Sequence, residues 1–330
     1  MTDAIRDVAL EDYRRAAGLT ARTAPDGLVA AVRFDKVLLS TPLVFPITLD
    51  LHAFRDAFQV PGLYLAEAYD AIFDPAFATG VGPRRDALAA APPGDAELFV
   101  LGGSTNHFHW LLDFLPRLAA IPLGPLPDAL VVTAGLDPRQ QAGLALAAAA
   151  LALPALPQRV VPDGVVGLRR ATMPLVVPRP AAVAFWRGVL AAAGVRQRPG
   201  RRLFVRRGAV ARRRLADEAA VAERLERAGF ETIDPGALDL AEQMRRFAEA
   251  AIVVGTHGAA LANAVFMAPG GTLVEIAARG AASPFADLAA AAGLRYGELR
   301  ADVAGATPAE RLHADLELPA GAVDALLARL

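Results

Sequence analysis

Two of the chain's five histidines fall within three residues of each other, in "NHFHWLLDFLPRL", Asn106 to Leu118. On a helix starting near Asn106, Phe108, Leu111, Leu112 and Leu115 form the buried stripe. His109 and Asp113, four residues apart, share a different face with Asn106 and Arg117. A carboxylate beside an imidazole orients the ring, raises its basicity and makes a general-base unit able to deprotonate a hydroxyl. His107 falls on another side. The plain packing alternative has His109 capping the helix, Asp113 pairing with Arg117 and Trp110 filling the core, with Pro116 limiting how far the helix runs straight.

A second set of residues suits an anion. The apolar run "AAIVVGT" leads directly into "HGAALANAVF", which places Gly255, Thr256, His257, Gly258 and Ala259 where a parallel strand hands over to a helix. Unpaired amides and the helix dipole make such a turn a diphosphate site, and glycine allows close approach. Neither GxGxxG nor the P-loop pattern fits, so generic dinucleotide and ATP binding gain no support. As packing alone, Gly255 and Gly258 ease a tight turn and His257 caps the helix. Glu275, at the carboxyl end of "GTLVEI", can accept both hydroxyls of a ribose, or can be an exposed acid that ends a strand. In "LFVRRGAVARRRLADE", Arg206 and Arg207 close a strand and Arg212 to Arg214 precede a helix, a concentration of guanidinium groups that suits phosphate oxygens or a solvated basic loop. Asp239 and Glu242 are spaced as a capping box, which leaves Gln243 unexplained.

The elements that must hold these residues follow from hydrophobic period. Up to about Leu101, "LVAAVRF", "KVLLSTPLVF" and "ELFVLG", with a helical stretch over Leu51 to Phe58, predict a sheet-forming start. "ALVVTAG" then "DPRQQAGLALAAAALAL" adds a strand and a helix, the helix buried over Ala142 to Leu153. Prolines at 174, 178, 180 and 199 surround one helix, Ala181 to Ala193, and mark a connection between domains. Strand and helix then alternate: "RRLFVRR", Asp217 to Ala228, "FETID", Leu240 to Ala250, "AAIVVGT", Gly258 to Met267 and "GTLVEIA". The fully apolar Ala251 to Val254 belongs inside a parallel sheet covered on both faces, which predicts a doubly wound domain. A last helix is expected over Gly321 to Leu330.

A chain of 330 residues has material for two cores. Cysteine is absent, which removes disulfides, zinc-thiolate sites and thiol nucleophiles together. A net charge of −1 gives no reason to expect nucleic acid as a partner. The most apolar run is too short to cross a bilayer, and the charged start "MTDAIRDVALEDYRR" is unlike a signal peptide, so a cytoplasmic setting is expected. Lys36 is the only lysine, so basic charge is arginine charge.

Together these segments resemble glycosyltransferase family 61. "HWLLDFLPRL" matches the family's histidine-tryptophan motif, "LFVRR" its strand ending in arginine, and Arg214 with "LADE" its arginine before an Asn-Glu pair, except that Asp217 stands where the family usually has Asn. Glu242 and Gln243 match its Glu-Gln. His257, Gly258, Ala259, Leu261, Asn263 and Phe266 match its "HGA" block, and Glu275 stands after the following strand. The likeness runs from about Asn106 to Ile276. It implies an α/β protein of GT-B type, two Rossmann-like domains facing a cleft, and on it the chain divides as 1–178 (acceptor side), 179–200 (connection), 201–298 (nucleotide-sugar domain) and 299–330, a terminal segment packing on either domain.

The resemblance further implies inverting transfer from a nucleotide-diphosphate sugar, UDP-linked in the first instance, to a hydroxyl of a surface or capsular glycan, without a required metal or cofactor. Arg206, Arg207, Arg214, Gln243, Gly255, Thr256, His257, Gly258, Ala259, Asn263 and Glu275 would bind the donor. His109 and Asp113 would supply the base, either being able to take the proton. The setting would be the bacterial cytoplasm, against the inner membrane where acceptors are built. Two other readings stand beside it: a sugar-nucleotide-binding scaffold, and a metallohydrolase using His107, His109, Asp113 and His257.

Overall fold

A computed structural model describes residues 4–24, 29–41, 43–60, 69–133, 135–207, 213–280, 283–303 and 314–330. Arg212 lies outside them. Two compact units divide the chain, Met1–Phe185 and Trp186–Leu330, and the division falls inside the helix Arg179–Ala192. Among the described residues no helix is long and apolar enough to cross a membrane.

The first unit is one mixed sheet. Its strands are β1 (Arg6–Asp7), β2 (Ala21–Thr23), β3 (Ala30–Thr41), β4 (Phe45–Ile47), β5 (His52–Ala53), β6 (Leu98–Val100), β7 (Ala129–Val132), β8 (Gln158–Val160) and β9 (Gly164–Pro174). They run in the order β1-β5-β4-β3-β9-β6-β7-β8, with β2 on β3. One half is antiparallel apart from β1, which runs parallel to β5, and is built on the long β3–β9 pair; the other half, β9, β6, β7 and β8, is parallel. The wholly apolar "LFV" of β6 and "LVV" of β7 are buried, as strands covered on both faces must be. The antiparallel half departs from a Rossmann pattern: β2 to β5 follow one another with no described helix between them to make a parallel crossover.

Lys36 projects from β3 to the end of the helix Pro75–Ala90, where its ammonium donates to the carbonyls of Ala89 (2.7 Å) and Ala91 (2.6 Å). A cation there satisfies acceptors that the helix leaves unpaired. The helix expected over Leu51 to Phe58 is shorter, Arg55–Phe58, because β5 takes its start. The alanine-rich helix is Pro138–Ala150, opened by a capping box of Asp137 and Gln140, and only one face of it is buried.

The second unit is an open sheet of β10 (Arg201–Val205), β11 (Glu231–Ile233), β12 (Ala250–Thr256), β13 (Thr272–Ala278), β14 (Arg295–Val303) and β15 (Leu316–Glu317). The order is β11-β10-β12-β13-β14-β15, all parallel except β15, which is antiparallel on β14. Counted within the unit, the parallel strands lie 2-1-3-4-5, a doubly wound arrangement whose order reverses between β10 and β12. Leu316 and Leu326 join the same core as Phe204, Leu225 and Val254, so the terminal segment packs on this unit. Its helix is Ala322–Leu327.

Gly102 leaves β6 with φ +80°, and a Cβ there would lie 2.7 Å from the ring of Phe114 and 2.9 Å from Val44. Gly229 has φ +84° with nothing within 4 Å of a Cβ. Gly102→Ala is therefore expected to lose about 1–3 kcal/mol of stability beyond the roughly 1 kcal/mol of Gly229→Ala in urea denaturation. Equal losses would show that the contact with Phe114 does not matter.

Candidate functional site

The helix that carries His109 leaves the carboxyl end of β6. Asn106 opens it by accepting a hydrogen bond from the Phe108 amide (3.0 Å), so its side chain caps the helix and does not join the His109–Asp113 face. One α-turn, His107–His109, widens to a π-helical turn over Trp110–Phe114 and tightens to 3-10 winding over Leu115–Leu123. The uniform α-helix expected from the hydrophobic stripe is not formed. Pro116 has no N–H to give to the Leu112 carbonyl, and the ladder changes pitch around it. Two arginines supply donors near that break: Arg179 Nη1 donates to the Leu112 carbonyl (3.3 Å) and Arg117 Nε to that of Asp113 (3.1 Å).

His109 Nδ1 lies 2.6 Å from Asp113 Oδ2, and Arg179 Nη1 lies 2.6 Å from Asp113 Oδ1. Both His109 and Asp113 are buried, and each carboxylate oxygen has its own partner. The Asp113–Arg117 carboxylate pairing of the packing alternative is not made. The Arg117 guanidinium donates to the Leu101 carbonyl (3.3 Å) and lies against the Phe114 ring, 4.7 Å from its centroid. Burial pushes its pKa down to about 10, against the pull of Asp113. Arg179 also covers the Phe108 ring, 5.0 Å from its centroid. Sequence reasoning placed Arg179 only in a connection, and 66 residues separate it from Asp113 with no local signal to join them.

In the second unit, Arg206–Arg207 follow β10 and His257–Gly258 follow β12, at the reversal of strand order where open α/β sheets bind ligands. Arg207 donates from Nη1 to the His257 carbonyl, and a Cβ on residue 258 would displace that guanidinium. Burial lowers the Arg207 pKa, and Arg213 adds to it while Glu218 opposes it. Glu218 holds both arginines, accepting from the Arg207 amide (3.1 Å) and Arg206 Nε (3.3 Å); about half of the Arg206 side chain, 48%, is exposed. Arg214 is exposed and paired with Asp315 (2.7 Å), tied to the terminal segment. Gly255 is required by packing, since a Cβ would lie 2.7 Å from Leu261 and 3.0 Å from Val205.

Ala259–Phe266 is wound as a 3-10 helix, tighter than the α-helix expected, with its first bond from the Leu261 amide to the Gly258 carbonyl (3.0 Å). The amides of Gly258, Ala259 and Ala260 precede that bond, as the donors of any helix start do. The Thr256 hydroxyl is buried and has no hydrogen-bond partner among the described residues. Gln243 and Asn263 serve the scaffold. Gln243 Nε2 donates to the carbonyls of Pro235 (2.9 Å) and Leu238 (3.0 Å), and its Oε1 accepts from Asn263 Nδ2 (2.8 Å). Asp239 caps the helix Leu240–Ala248 through the Glu242 amide (2.7 Å), while the Glu242 carboxylate turns to Arg245 and Arg246 in place of closing a capping box.

Glu275 is fully buried, neither an exposed strand end nor open to a ribose. Its Oε1 accepts from His257 Nδ1, and its Oε2 accepts from the hydroxyls of Ser283 (2.5 Å) and Tyr296 (2.5 Å). Burial alone would raise its pKa, but these three hydrogen bonds outweigh burial and hold it below the ordinary 4.5. Burial, and next the same carboxylate, push the Tyr296 hydroxyl well up.

Residues 107–274 match the family described as Glycosyltransferase 61, just over half of the chain. The chain belongs to glycosyltransferase family 61. Membership of the family implies glycosyltransferase activity. The match spans the His109–Asp113 pair and His257 and stops one residue before Glu275. No curated protein matches the chain. Among the described residues no three His, Cys, Asp or Glu side chains gather so as to hold a metal ion, which leaves the metallohydrolase reading without an assembled ligand set.

Arg179→Met leaves a buried carboxylate short of its cationic partner and is expected to cost about 3 kcal/mol in urea denaturation, with Arg179→Lys recovering most of it. A loss below about 0.5 kcal/mol in Arg179→Met would show that Asp113 does not need this ion pair. For Glu275 the folded-state pKa lies below the unfolded value, so its contribution is present above about pH 4.5 and is lost as pH falls through the lower folded value. The stability advantage of wild type over Glu275→Gln should therefore shrink between about pH 6 and pH 3, and an advantage that stays constant would contradict the depressed pKa.

Proposed function

We propose that this glycosyltransferase moves a sugar, with inversion, from a nucleotide-diphosphate donor to a hydroxyl of a glycan acceptor. The observation that carries the reading is the Arg179–Asp113–His109 series, its Asp113 and His109 buried, inside the family-matched stretch. Asp113, paired with Arg179, holds the ring, and His109 acts as the base. The acceptor oxygen bonds to the anomeric carbon as the bond from that carbon to the diphosphate breaks. The hydroxyl proton goes to His109 and the electron pair leaves on the diphosphate oxygen.

The charge that develops there is met by Arg206, Arg207 and the amides at Gly258, Ala259 and Ala260, the residues gathered at the strand-order reversal. Arg214 reaches the donor only by leaving Asp315. Gln243, Gly255 and Asn263 act through the scaffold, and Glu275 through His257. A GT-B arrangement with the acceptor on the first unit, a UDP-linked donor, a capsular or other surface glycan as product and a place in the bacterial cytoplasm, peripheral to the inner membrane, complete the proposal. A non-catalytic donor-binding scaffold is the alternative. It gives no reason for a buried histidine oriented by an ion-paired carboxylate.

A thermal-shift panel of UDP, GDP, CDP and dTDP, each with and without EDTA, tests the donor site. One nucleotide is expected to raise the melting temperature, by about 2.7 kcal/mol of linkage at a hundredfold excess over Kd, with less effect on Arg206→Ala. With the donor sugar of that nucleotide, His109→Gln and Asp113→Asn should each lower turnover at least about 100-fold while leaving the nucleotide shift intact. No shift from any nucleotide would remove the donor site, and undiminished turnover in His109→Gln would remove the base.

A further inference from the structure

The second unit holds another histidine on a carboxylate, and its surroundings differ from those of His109. Glu275 is fully buried, whereas the His257 side chain is 22% exposed, so the ring reaches outward from a carboxylate fixed inside. Its Nδ1 is engaged by Glu275, and it packs edge-to-face with Phe285, with centroids 5.5 Å apart at 74°. Nε2 has no hydrogen-bond partner among the described residues. His257 follows β12 at the strand-order reversal, its carbonyl accepts from Arg207, and the 3-10 helix Ala259–Phe266 starts two residues on.

Glu275 from β13 meets the ring, and behind that carboxylate β14 places Tyr296 and Glu298, joined by a 2.9 Å hydrogen bond, with Arg300 paired to Glu298. Arg207 lies at the His257 carbonyl with Glu218 and Arg213 beside it, and the helix after Ser283 contributes the uncharged Phe285. Ser283 and Tyr296 each donate a hydroxyl hydrogen to Oε2 of Glu275, which leaves Oε1 to the imidazole. Neither residue falls within the stretch that matches the family.

We propose that His257 meets the donor diphosphate with both ring nitrogens protonated, Nδ1–H on Glu275 and Nε2–H on a phosphate oxygen, and that Ser283 and Tyr296 are the positioning residues that hold Glu275 for this. The inference rests on the donor site described above. With one proton, placed on Nδ1 by Glu275, the ring turns a lone pair toward the phosphate; with two it donates a charge-assisted hydrogen bond. Nucleotide binding therefore draws one proton from solvent onto Nε2, and release returns it. No bond in the nucleotide is made or broken in this step.

Calorimetric titration of UDP, GDP, CDP and dTDP in two buffers of different ionisation enthalpy, at about pH 8, reads that proton directly. Wild type is expected to take up about one proton with the nucleotide it binds, and His257→Gln none. Tyr296→Phe and Ser283→Ala should each weaken binding about fivefold at pH 8 and much less at pH 6, where protons are plentiful; a purely structural role would weaken it equally at both. Both are single-group deletions, and their melting temperatures report whether the fold is kept. Binding without proton uptake, or equal uptake in His257→Gln, overturns the inference alone. Equal weakening at both pH values overturns the positioning role, and a wild type that binds none of the four nucleotides overturns the donor site beneath it.

Discussion

A carboxylate taken out of water keeps its charge only if donors meet it, and the first unit is arranged around that need at Asp113. His109 takes one oxygen and Arg179 the other. The same guanidinium serves a backbone carbonyl that Pro116 leaves unpaired, so the break in the helix and the buried ion are satisfied by one side chain. A straight α-helix with a residue other than proline at 116 would have closed that carbonyl internally and given Arg179 one partner fewer. The change of pitch thus belongs to the chemistry as much as to the backbone.

The second unit meets the same constraint in another way. Among the described residues no arginine or lysine touches Glu275; two hydroxyls and an imidazole do. A guanidinium keeps its charge at every pH a protein experiences, whereas an imidazole does not, so the two carboxylates hold their histidines under different electrostatic conditions. One ring belongs to a pair locked by a permanent cation. The other stands on a carboxylate whose remaining partners are neutral.

Much of this was legible in the residues. The 3.6-residue period brought His109 to Asp113, and the strictly apolar "AAIVV" before "GTHG" put His257 at the end of an inner parallel strand, because both signals are local. Arg179 was not legible, since its pairing with Asp113 is set by tertiary packing across 66 residues. Ser283 and Tyr296 were silent for the same reason. Glu275 was read as reaching outward to a ligand, but strand register places it level with Gly255 in the sheet interior, where a carboxylate must find protein donors. Gln243 and Asn263 matched a family motif without any sign that they face each other, and their mutual hydrogen bond accounts for the spacing. The helix expected through Pro116 failed where a proline's missing donor outweighed an otherwise regular hydrophobic stripe.

Lys36, the chain's only lysine, closes the helix Pro75–Ala90 by giving its ammonium hydrogens to two carbonyls. Amine-directed cross-linkers consequently find one side chain in the whole molecule, and it is already turned inward. Cysteine is absent as well, so a thiol introduced at a chosen position in either unit becomes the sole soft nucleophile of the chain. Probes for fluorescence or spin labelling can be set on each unit in turn without first stripping native residues away.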